Sequence, residues 1–241
     1  MKNFAFVHGG GQGSWVWAET IAAITLQSSE SPNCLALDVP GCGNKRTRST
    51  AAISIDQVAR ELVDDIVHSG MRDVMLVGHS QAGTVIPKML SLAANLFSRV
   101  IYVTCIAPFE KTLLEQMGDG LHGERDDVVG WPIDIAAASS EQRLFALFGN
   151  DMNSETSSSF FPKLGKDKWP DSTYEYRDYQ YDQLPAVDSR YIICMRDRSL
   201  TPPWQERFAQ RLRVNGIYYI DAGHQVMNTR PHSLAEMILH N

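Results

Sequence analysis

The chain has 241 residues, of which 44% are hydrophobic and 21% charged, a composition typical of a globular protein with one large core. Its formal net charge is −6, with acidic and basic side chains interspersed. We therefore expect no nucleic-acid partner, because nucleic acids are bound by basic stripes. The sequence also contains no apolar run of the length that crosses a bilayer, so we expect no membrane partner.

The cysteines indicate a reducing compartment. Cys34, Cys105 and Cys194 lie in apolar, strand-like runs, and Cys42 lies between two glycines. Their spacing is not that of metal ligands, so we expect reduced thiols and neither disulfides nor a metal site. Residues 4–7 begin an apolar run that is too short for the core of a signal peptide. These features predict a cytoplasmic protein.

Strands and helices alternate along the first hundred residues. Apolar runs typical of strands buried on both faces occur at residues 4–7, 34–37, 74–77 and 100–103. Apolar residues at helical spacing predict helices at residues 15–26, from the N-cap Ser54 to about residue 67, and at 85–94. This order predicts a mostly parallel sheet with helices on both faces.

A glycine-rich loop, residues 8–14, follows the first strand. Its glycines allow backbone to approach a ligand closely. A dinucleotide site is an alternative, because Asp38 ends the next strand as that motif requires. The glycine spacing differs from the motif, however, and such a site would leave the serine and histidine described below without a role. We therefore interpret Asp38 as a turn-forming residue.

The third strand leads into the most informative segment, residues 74–83. Four apolar residues are followed by Gly78, His79, Ser80, Gln81, Ala82 and Gly83, and then by a helix. A strand, a turn of small residues and a helix expose the turn serine above a sheet, which is the nucleophile elbow. The usual last glycine of that motif is replaced by Ala82. We predict that Ser80 is a nucleophile.

The alternation stops at residue 109 and resumes at residue 186. Between them lie helical fragments, a serine-rich patch at residues 154–159 and scattered aromatic residues that include Trp131. A structureless loop of this length is unusual in a compact domain. We predict one domain with a core formed by residues 1–108 and 186–241 and an inserted helical cap at 109–185.

The last part of the chain supplies two further strand ends. Strands are predicted at residues 191–195 and 214–220, and helices follow at 202–212 and 231–239. Asp197 and His224 each come just after a strand, as Ser80 does. Parallel strands bring such loops to one edge, and the chain order Ser, Asp, His is that of the α/β-hydrolase triad.

Three other carboxylates compete with Asp197 for the role of the acid. Asp221 is too close to His224 along the chain, and Asp188 precedes its strand and so lies at the wrong edge. Glu110 requires a variant in which the acid follows the preceding strand. We favour Asp197, with Glu110 as the alternative.

At these positions the chain resembles α/β-hydrolases of the plant methylesterase and hydroxynitrile lyase branch. The similar segments are residues 6–17, Gly78 to Ser80, residues 191–197, and Gly223 with His224. The resemblance implies an α/β-hydrolase fold with a six-stranded sheet and a helical cap. It implies Ser80 as nucleophile, His224 as base and Asp197 as orienting acid. The implied oxyanion donors are the backbone amides of Gly10 and Gln81, and no cofactor is implied.

The resemblance leaves three functions open. Lyases of the branch carry a threonine after the loop histidine and a lysine after the catalytic histidine, whereas this chain has Gly9 and Gln225. We therefore predict a carboxylesterase, with a hydroxynitrile lyase or a ligand receptor as alternatives. A small, apolar or aryl ester is the expected partner, and the protein is expected to be a monomer or homodimer. Predicted substrate contacts are Gly9, Gly11, Trp131 and Gln225.

Overall fold

The computed structural model describes residues 2–118 and 126–240. Six strands form one sheet in the order β2-β1-β3-β4-β5-β6, and every neighbouring pair is parallel. The predicted fold class is therefore confirmed. The strands are β1 (Asn3–Val7), β2 (Asn33–Leu37), β3 (Val74–His79), β4 (Phe97–Val103), β5 (Ser189–Cys194) and β6 (Gly216–Ile220).

Helices cover both faces of the sheet and fill the segment between β4 and β5. They are α1 (Ala18–Gln27), α2 (Ile55–His68), α3 (Ile86–Ala93), α4 (Leu113–Met117), α5 (Ser140–Phe148), α6 (Ser154–Phe160), α7 (Ser172–Glu175), α8 (Pro202–Arg211), α9 (Val226–Thr229) and α10 (Pro231–His240). Among the helices of the described residues, none is both long and apolar enough to cross a membrane.

Alternation of side chains along the strands builds two cores. In β1, Ala5 and Val7 face a core packed by α2, α3 and α8, whereas Phe4 and Phe6 face one packed by α1 and α10. Successive side chains of a strand point to opposite faces. A strand with helices on both faces must therefore be apolar at every position, which explains the continuous apolar runs of the sequence.

The segment after the glycine loop is not the single helix predicted at residues 15–26. A tight 3₁₀ turn, Ser14–Trp17, precedes α1. The turn directs its two tryptophans to different partners. Trp17 is fully buried and packs against Phe6 in the sheet core, while Trp15 packs against Phe160 of α6.

Another predicted boundary also changes, and a segment without a predicted element forms a helix. Strand β4 begins at Phe97 rather than residue 100, because the hydrogen-bond ladder with β3 continues past polar residues that interrupt the apolar run. The serine-rich patch forms helix α6. Asn153 caps this helix by accepting a hydrogen bond from the Thr156 amide, and Phe160 is buried at its end. The cap and this burial outweigh the low helix propensity of serine.

The segment between β4 and β5 lies over the carboxyl ends of the strands. We call its helices α4 to α7, with the residues that join them, the insertion. Two of its residues, Phe160 and Trp169, are buried against the core. The predicted cap, residues 109–185, includes residues 119–125, which lie outside the described residues. Within the described part, the insertion brings apolar side chains to the edge where Ser80, Asp197 and His224 lie.

Candidate active site

Ser80 occupies a strained turn between β3 and α3. Its φ angle is 53°, a left-handed conformation that costs an ordinary residue about 1 to 2 kcal/mol. The turn is tight because its neighbours approach closely. A Cβ at Gly78 would lie 2.2 Å from Ile86 Cδ1, and one at Gly83 would lie 2.0 Å from the Ile106 carbonyl oxygen. Gly83 thus supplies the close approach, and Ala82 is tolerated beside it.

A chain of hydrogen bonds connects the three strand ends. The Ser80 hydroxyl lies 3.0 Å from His224 Nε2, and His224 Nδ1 lies 2.7 Å from Asp197 Oδ2. His224 and Asp197 are 2% and 3% exposed. Because a carboxylate can only accept, Nδ1 carries the proton and Nε2 is free to accept the serine proton. The geometry allows His224 to act as a general base toward Ser80.

The Asp197 carboxylate is held by the backbone that follows it. Its Oδ1 accepts hydrogen bonds from the amides of Ser199 at 2.7 Å and Leu200 at 2.9 Å. These amides fix one carboxylate oxygen, which leaves the other directed at His224. Asp197 is thereby oriented by local turn geometry, since both amides lie within three residues of it.

The competing carboxylates have other partners or positions. Asp188 pairs with Arg99 and Arg190 before β5, and Asp221 pairs with Arg196 at the surface. Glu110 is exposed after β4. The carboxylate that contacts His224 is that of Asp197.

The loop histidine, His8, braces the glycine loop. It is fully buried, its Nδ1 donates to the Gly9 carbonyl at 2.8 Å, and its Nε2 accepts from the Val39 amide at 3.2 Å. Trp169 of the insertion donates its ring N–H to the same Gly9 carbonyl at 3.1 Å. Asp38 accepts from the amide and hydroxyl of Ser14 in the glycine loop and from the amide of Asn44 in the segment after β2, so it links these two segments.

His79 contributes a contact that the sequence did not reveal. Its Nε2 donates to the backbone carbonyl of His224 at 2.9 Å, and the two rings lie 4.8 Å apart. Burial, with a further contribution from the neighbouring His224, lowers the pKa of His79 well below its ordinary value. A neutral His79 therefore holds the backbone of the histidine loop. Its position beside Ser80 was the available signal, but this partner is 145 residues away.

A cavity of about 250 Å³ opens beside Ser80. Gly10, Gln81 and His224 line it together with Trp131, whose ring N–H donates to the Gly118 carbonyl at 3.1 Å. Most of the remaining lining is apolar and comes largely from the insertion. These further residues are Ile106, Leu113, Leu114, Met117, Leu147, Phe148, Tyr174, Ser199 and Leu200.

Three of the predicted substrate contacts, all of them described residues, are not among those that line the cavity. Gly9 packs behind Ser80, where an added Cβ would lie 2.8 Å from His79 Nδ1. Gly11 accepts a hydrogen bond from the Gly165 amide. Gln225 is fully buried, and neither atom of its carboxamide has a hydrogen-bond partner among the described residues. No cluster of three or more His, Cys, Asp or Glu side chains suited to a metal is found in the same part of the chain.

We expect substitution of Gly9 by alanine to reduce activity. The added methyl group would lie 2.8 Å from His79 Nδ1 and 3.0 Å from Ser80 Cβ, so His79 or Ser80 must move. Overpacking of this kind costs about 1 to 3 kcal/mol, and a displaced serine reduces kcat/KM by about tenfold or more. Esterase kinetics and thermal unfolding measure both effects.

Gly216→Ala is a suitable control for the Gly9 variant. Its Cβ would meet the flexible Arg190 side chain at 2.9 Å, far from the site at the start of β6. We expect full activity from this control. Wild-type kinetics in Gly9→Ala would contradict the close packing of Gly9 against Ser80.

The free energy of unfolding should fall as the pH falls below about 6.5, the ordinary histidine pKa. Burial lowers the pKa of His8 and of His79 in the folded protein. The unfolded chain then binds more protons than the folded one, so acid favours unfolding, by at most about 1.4 kcal/mol per pH unit for each histidine. Urea unfolding between about pH 7 and pH 5 measures the slope, before most carboxylates titrate.

A variant separates the two histidines. His79→Gln retains a donor near the His224 carbonyl and lacks the titrating ring, so we expect it to remove one of the two contributions to the slope. A free energy of unfolding that stays constant over this pH range would contradict the neutral, buried state of both rings.

A strained serine on a strand-to-helix turn, with a histidine and an aspartate from later strand ends of a parallel sheet, is the arrangement of a serine hydrolase of the α/β class. The comparisons with known proteins agree. The chain belongs to the Alpha/beta hydrolase family, whose pattern matches residues 4–237.

The individual relatives have low sequence identity to this chain. Putative methylesterase 14, chloroplastic, from Arabidopsis thaliana is 23% identical over 99% of this chain and 71% of its own length. Putative methylesterase 12, chloroplastic, from the same plant is 26% identical over 68% of this chain and 43% of its own length, so that match spans less than half of the relative. The crystal structure of the methylesterase MES16 from Arabidopsis has a TM-score of 0.75 at 18% identity and covers 99% of this chain and 98% of that one.

Proposed function

We propose that this protein is a carboxylic ester hydrolase that forms an acyl-enzyme on Ser80. The observation that carries the proposal is the hydrogen-bonded series from Ser80 through His224 to Asp197 at 3.0 and 2.7 Å. Relatives named methylesterase support the same reaction class. A serine hydroxyl needs such a base at neutral pH, because it is otherwise a weak nucleophile.

The proposed mechanism uses the chain's own groups. His224 takes the Ser80 proton while the serine oxygen attacks the ester carbonyl, and the backbone amides of Gly10 and Gln81 stabilise the oxyanion. His224 then donates the proton to the departing alkoxide. Water, activated by the same histidine, releases the acid. Loss of one oxyanion donor would cost about 3 to 4 kcal/mol of transition-state stabilisation.

The cavity supports a small, largely apolar ester. Its volume of about 250 Å³ and its lining by leucines, Ile106 and Phe148 favour an alkyl or aryl group. Trp131 lines this cavity and is a proposed substrate contact. Gly9, Gly11 and Gln225 are also proposed contacts, and the unpartnered carboxamide of Gln225 supports a polar partner at that position.

Residues 109–185 are proposed to act as the cap of this site, with residues 1–108 and 186–241 as the core. The apolar lining contributed by α4, α5 and α7 supports this division. A cytoplasmic location is part of the proposal, supported by four free cysteines, of which three are buried. Cell fractionation tests the location, and the plant relatives cited above carry chloroplastic names.

The lyase alternative has less support. The space behind Gly9 is filled by His79 and Ser80, so the threonine of the lyases would not fit there without rearrangement. Gln225 supplies no positive charge to hold a departing cyanide. The receptor alternative does not account for the hydrogen bond between Ser80 and His224.

The first experiment uses p-nitrophenyl esters of increasing acyl length with the purified protein. We expect an initial burst of p-nitrophenol and, by mass spectrometry, an acyl adduct on Ser80. Turnover should decline for the longest chains, because they exceed the cavity. A protein that gives neither adduct nor turnover with these esters but cleaves mandelonitrile would be a lyase, and binding without turnover would favour a receptor.

A further inference from the structure

Thr104 has an unusual conformation at the end of β4. Its φ angle is 39°, which is rare for a β-branched side chain. Its relative exposure is 0%, whereas the described non-glycine residues with positive φ are otherwise exposed, apart from the partly exposed Ser80. Backbone strain at a buried position persists only when surrounding contacts impose it. The contacts of the Thr104 side chain and backbone must therefore hold it in this conformation.

The Thr104 hydroxyl contacts the carboxylate of the active site. It donates to Asp197 Oδ2 at 2.6 Å, the oxygen that also accepts from His224 Nδ1 at 2.7 Å. The hydroxyl must be the donor here, because an ionised carboxylate only accepts. Gln205 lies at 3.5 Å from the same oxygen and bonds more closely to backbone carbonyls. Asp197 Oδ2 thus has two close side-chain partners, Thr104 and His224.

We propose that Thr104 is a positioning residue that holds Asp197 Oδ2 toward His224 and limits the negative charge available to the imidazole. This inference rests on the proposed esterase function. A hydrogen bond to a carboxylate stabilises its ionised form and draws charge from the oxygen. Without it, Oδ2 interacts more strongly with His224, which favours the protonated imidazole. A protonated His224 cannot accept the Ser80 proton.

Other titratable groups surround the pair, and most are uncharged. Burial raises the pKa of Tyr191, Cys105 and Cys194 and lowers that of His79. Among the charged groups of the described residues, Asp151 of the insertion accepts from the Gly223 amide at 2.8 Å, and the exposed Arg196 and Arg198 flank Asp197 in the chain. None of these groups changes with Thr104, so the effect of its hydroxyl can be measured against a constant background.

Thr104→Val tests the proposal, because valine retains the branched shape and removes the hydroxyl. We expect kcat/KM at the optimum to fall by about 10- to 100-fold, the range for a hydrogen bond to a charged group. We expect the acid limb of the pH profile to move up by about half a pH unit or more. Thr104→Ser, which retains the donor, should restore the wild-type pH profile. Thr104→Ala tests the same hydroxyl with a smaller side chain.

Thr20→Val is the matched control. The Thr20 hydroxyl is equally buried and donates to the Met227 carbonyl at 3.1 Å, so its removal costs stability without touching the pair. We expect a lower melting temperature and an unchanged pH profile. A Thr104→Val profile that coincides with that of Thr20→Val would overturn the proposal and assign Thr104 a purely structural role.

A second readout does not depend on turnover. NMR titration of isotope-labelled histidine follows protonation of the His224 ring directly, and we expect it to occur at higher pH in Thr104→Val than in the wild type. If the wild type hydrolyses no ester, the proposed function fails while this titration still tests Thr104. An identical titration in both proteins would contradict the positioning role.

Discussion

Ser80→Ala is expected to abolish ester hydrolysis, with a decrease in kcat of about 10⁴-fold or more. The substitution removes the oxygen that lies 3.0 Å from His224 Nε2, so no acyl-enzyme can form. Steady-state kinetics, together with mass spectrometry for the missing adduct, measure the effect. Ser91→Ala is the control, because its hydroxyl bonds only to the Pro87 carbonyl of α3 in the described structure.

Stability separates the chemical role of Ser80 from its conformation. Alanine is as strained as serine at a φ of 53°, so we expect Ser80→Ala to unfold at nearly the wild-type temperature. Glycine accepts this conformation without penalty, and Ser80→Gly should be more stable by about 1 kcal/mol. Residual acyl-enzyme formation in either variant would show that another residue is the nucleophile.

Asp197→Asn is expected to reduce kcat/KM by about 10⁴-fold while preserving the fold. The amides of Ser199 and Leu200 donate to Oδ1, so the asparagine carbonyl oxygen should occupy that position. Its NH₂ group would then face His224 Nδ1 and donate to it. The proton of His224 would move to Nε2, which could no longer accept the proton of Ser80. Kinetics and NMR assignment of the histidine tautomer measure the effect.

Two variants serve as comparisons for Asp197→Asn. Glu110→Gln and Asp221→Asn remove exposed carboxylates that do not contact His224 in the described structure. We expect both to retain activity. Loss of activity in Glu110→Gln together with persistence in Asp197→Asn would transfer the role of the acid to the residue after β4.

The fold class could be predicted because the same kind of pattern recurs along the chain, whereas the family followed from a resemblance in four segments. Continuous apolar runs and helical spacing recur for each strand and helix, so an error at one boundary leaves the alternation intact. The boundaries themselves were less accurate. The prediction missed the start of β4 because its first residues include polar ones and are held by backbone hydrogen bonds to β3. Such bonds do not depend on the type of side chain, so the sequence pattern does not show them.

The candidate triad could be predicted for a similar reason. Parallel strands bring their carboxyl ends to one edge, so three reactive residues after three strands are expected to lie together. No such rule predicts contacts between side chains that are far apart in the sequence. The hydrogen bond from His79 to the His224 carbonyl and that from Thr104 to Asp197 depend on rotamers and backbone strain. The close approach of Gly9 to His79 and Ser80 is likewise set by the tertiary structure, and the contact of Gly9 with the substrate stays a prediction.

By itself, the sequence determined the parallel sheet, the turn that carries Ser80 and the order of the three strand-end residues, because each follows from local periodicity and chain direction. Only the tertiary structure decided which carboxylate contacts His224, how the insertion lines the cavity and which polar groups hold Asp197 and the His224 backbone in place. Those outcomes depend on packing between segments far apart in the chain, for example 145 residues between His79 and His224 and 160 between Gly9 and Trp169. Interactions of that range are set by the shape of the whole core, which no local pattern encodes.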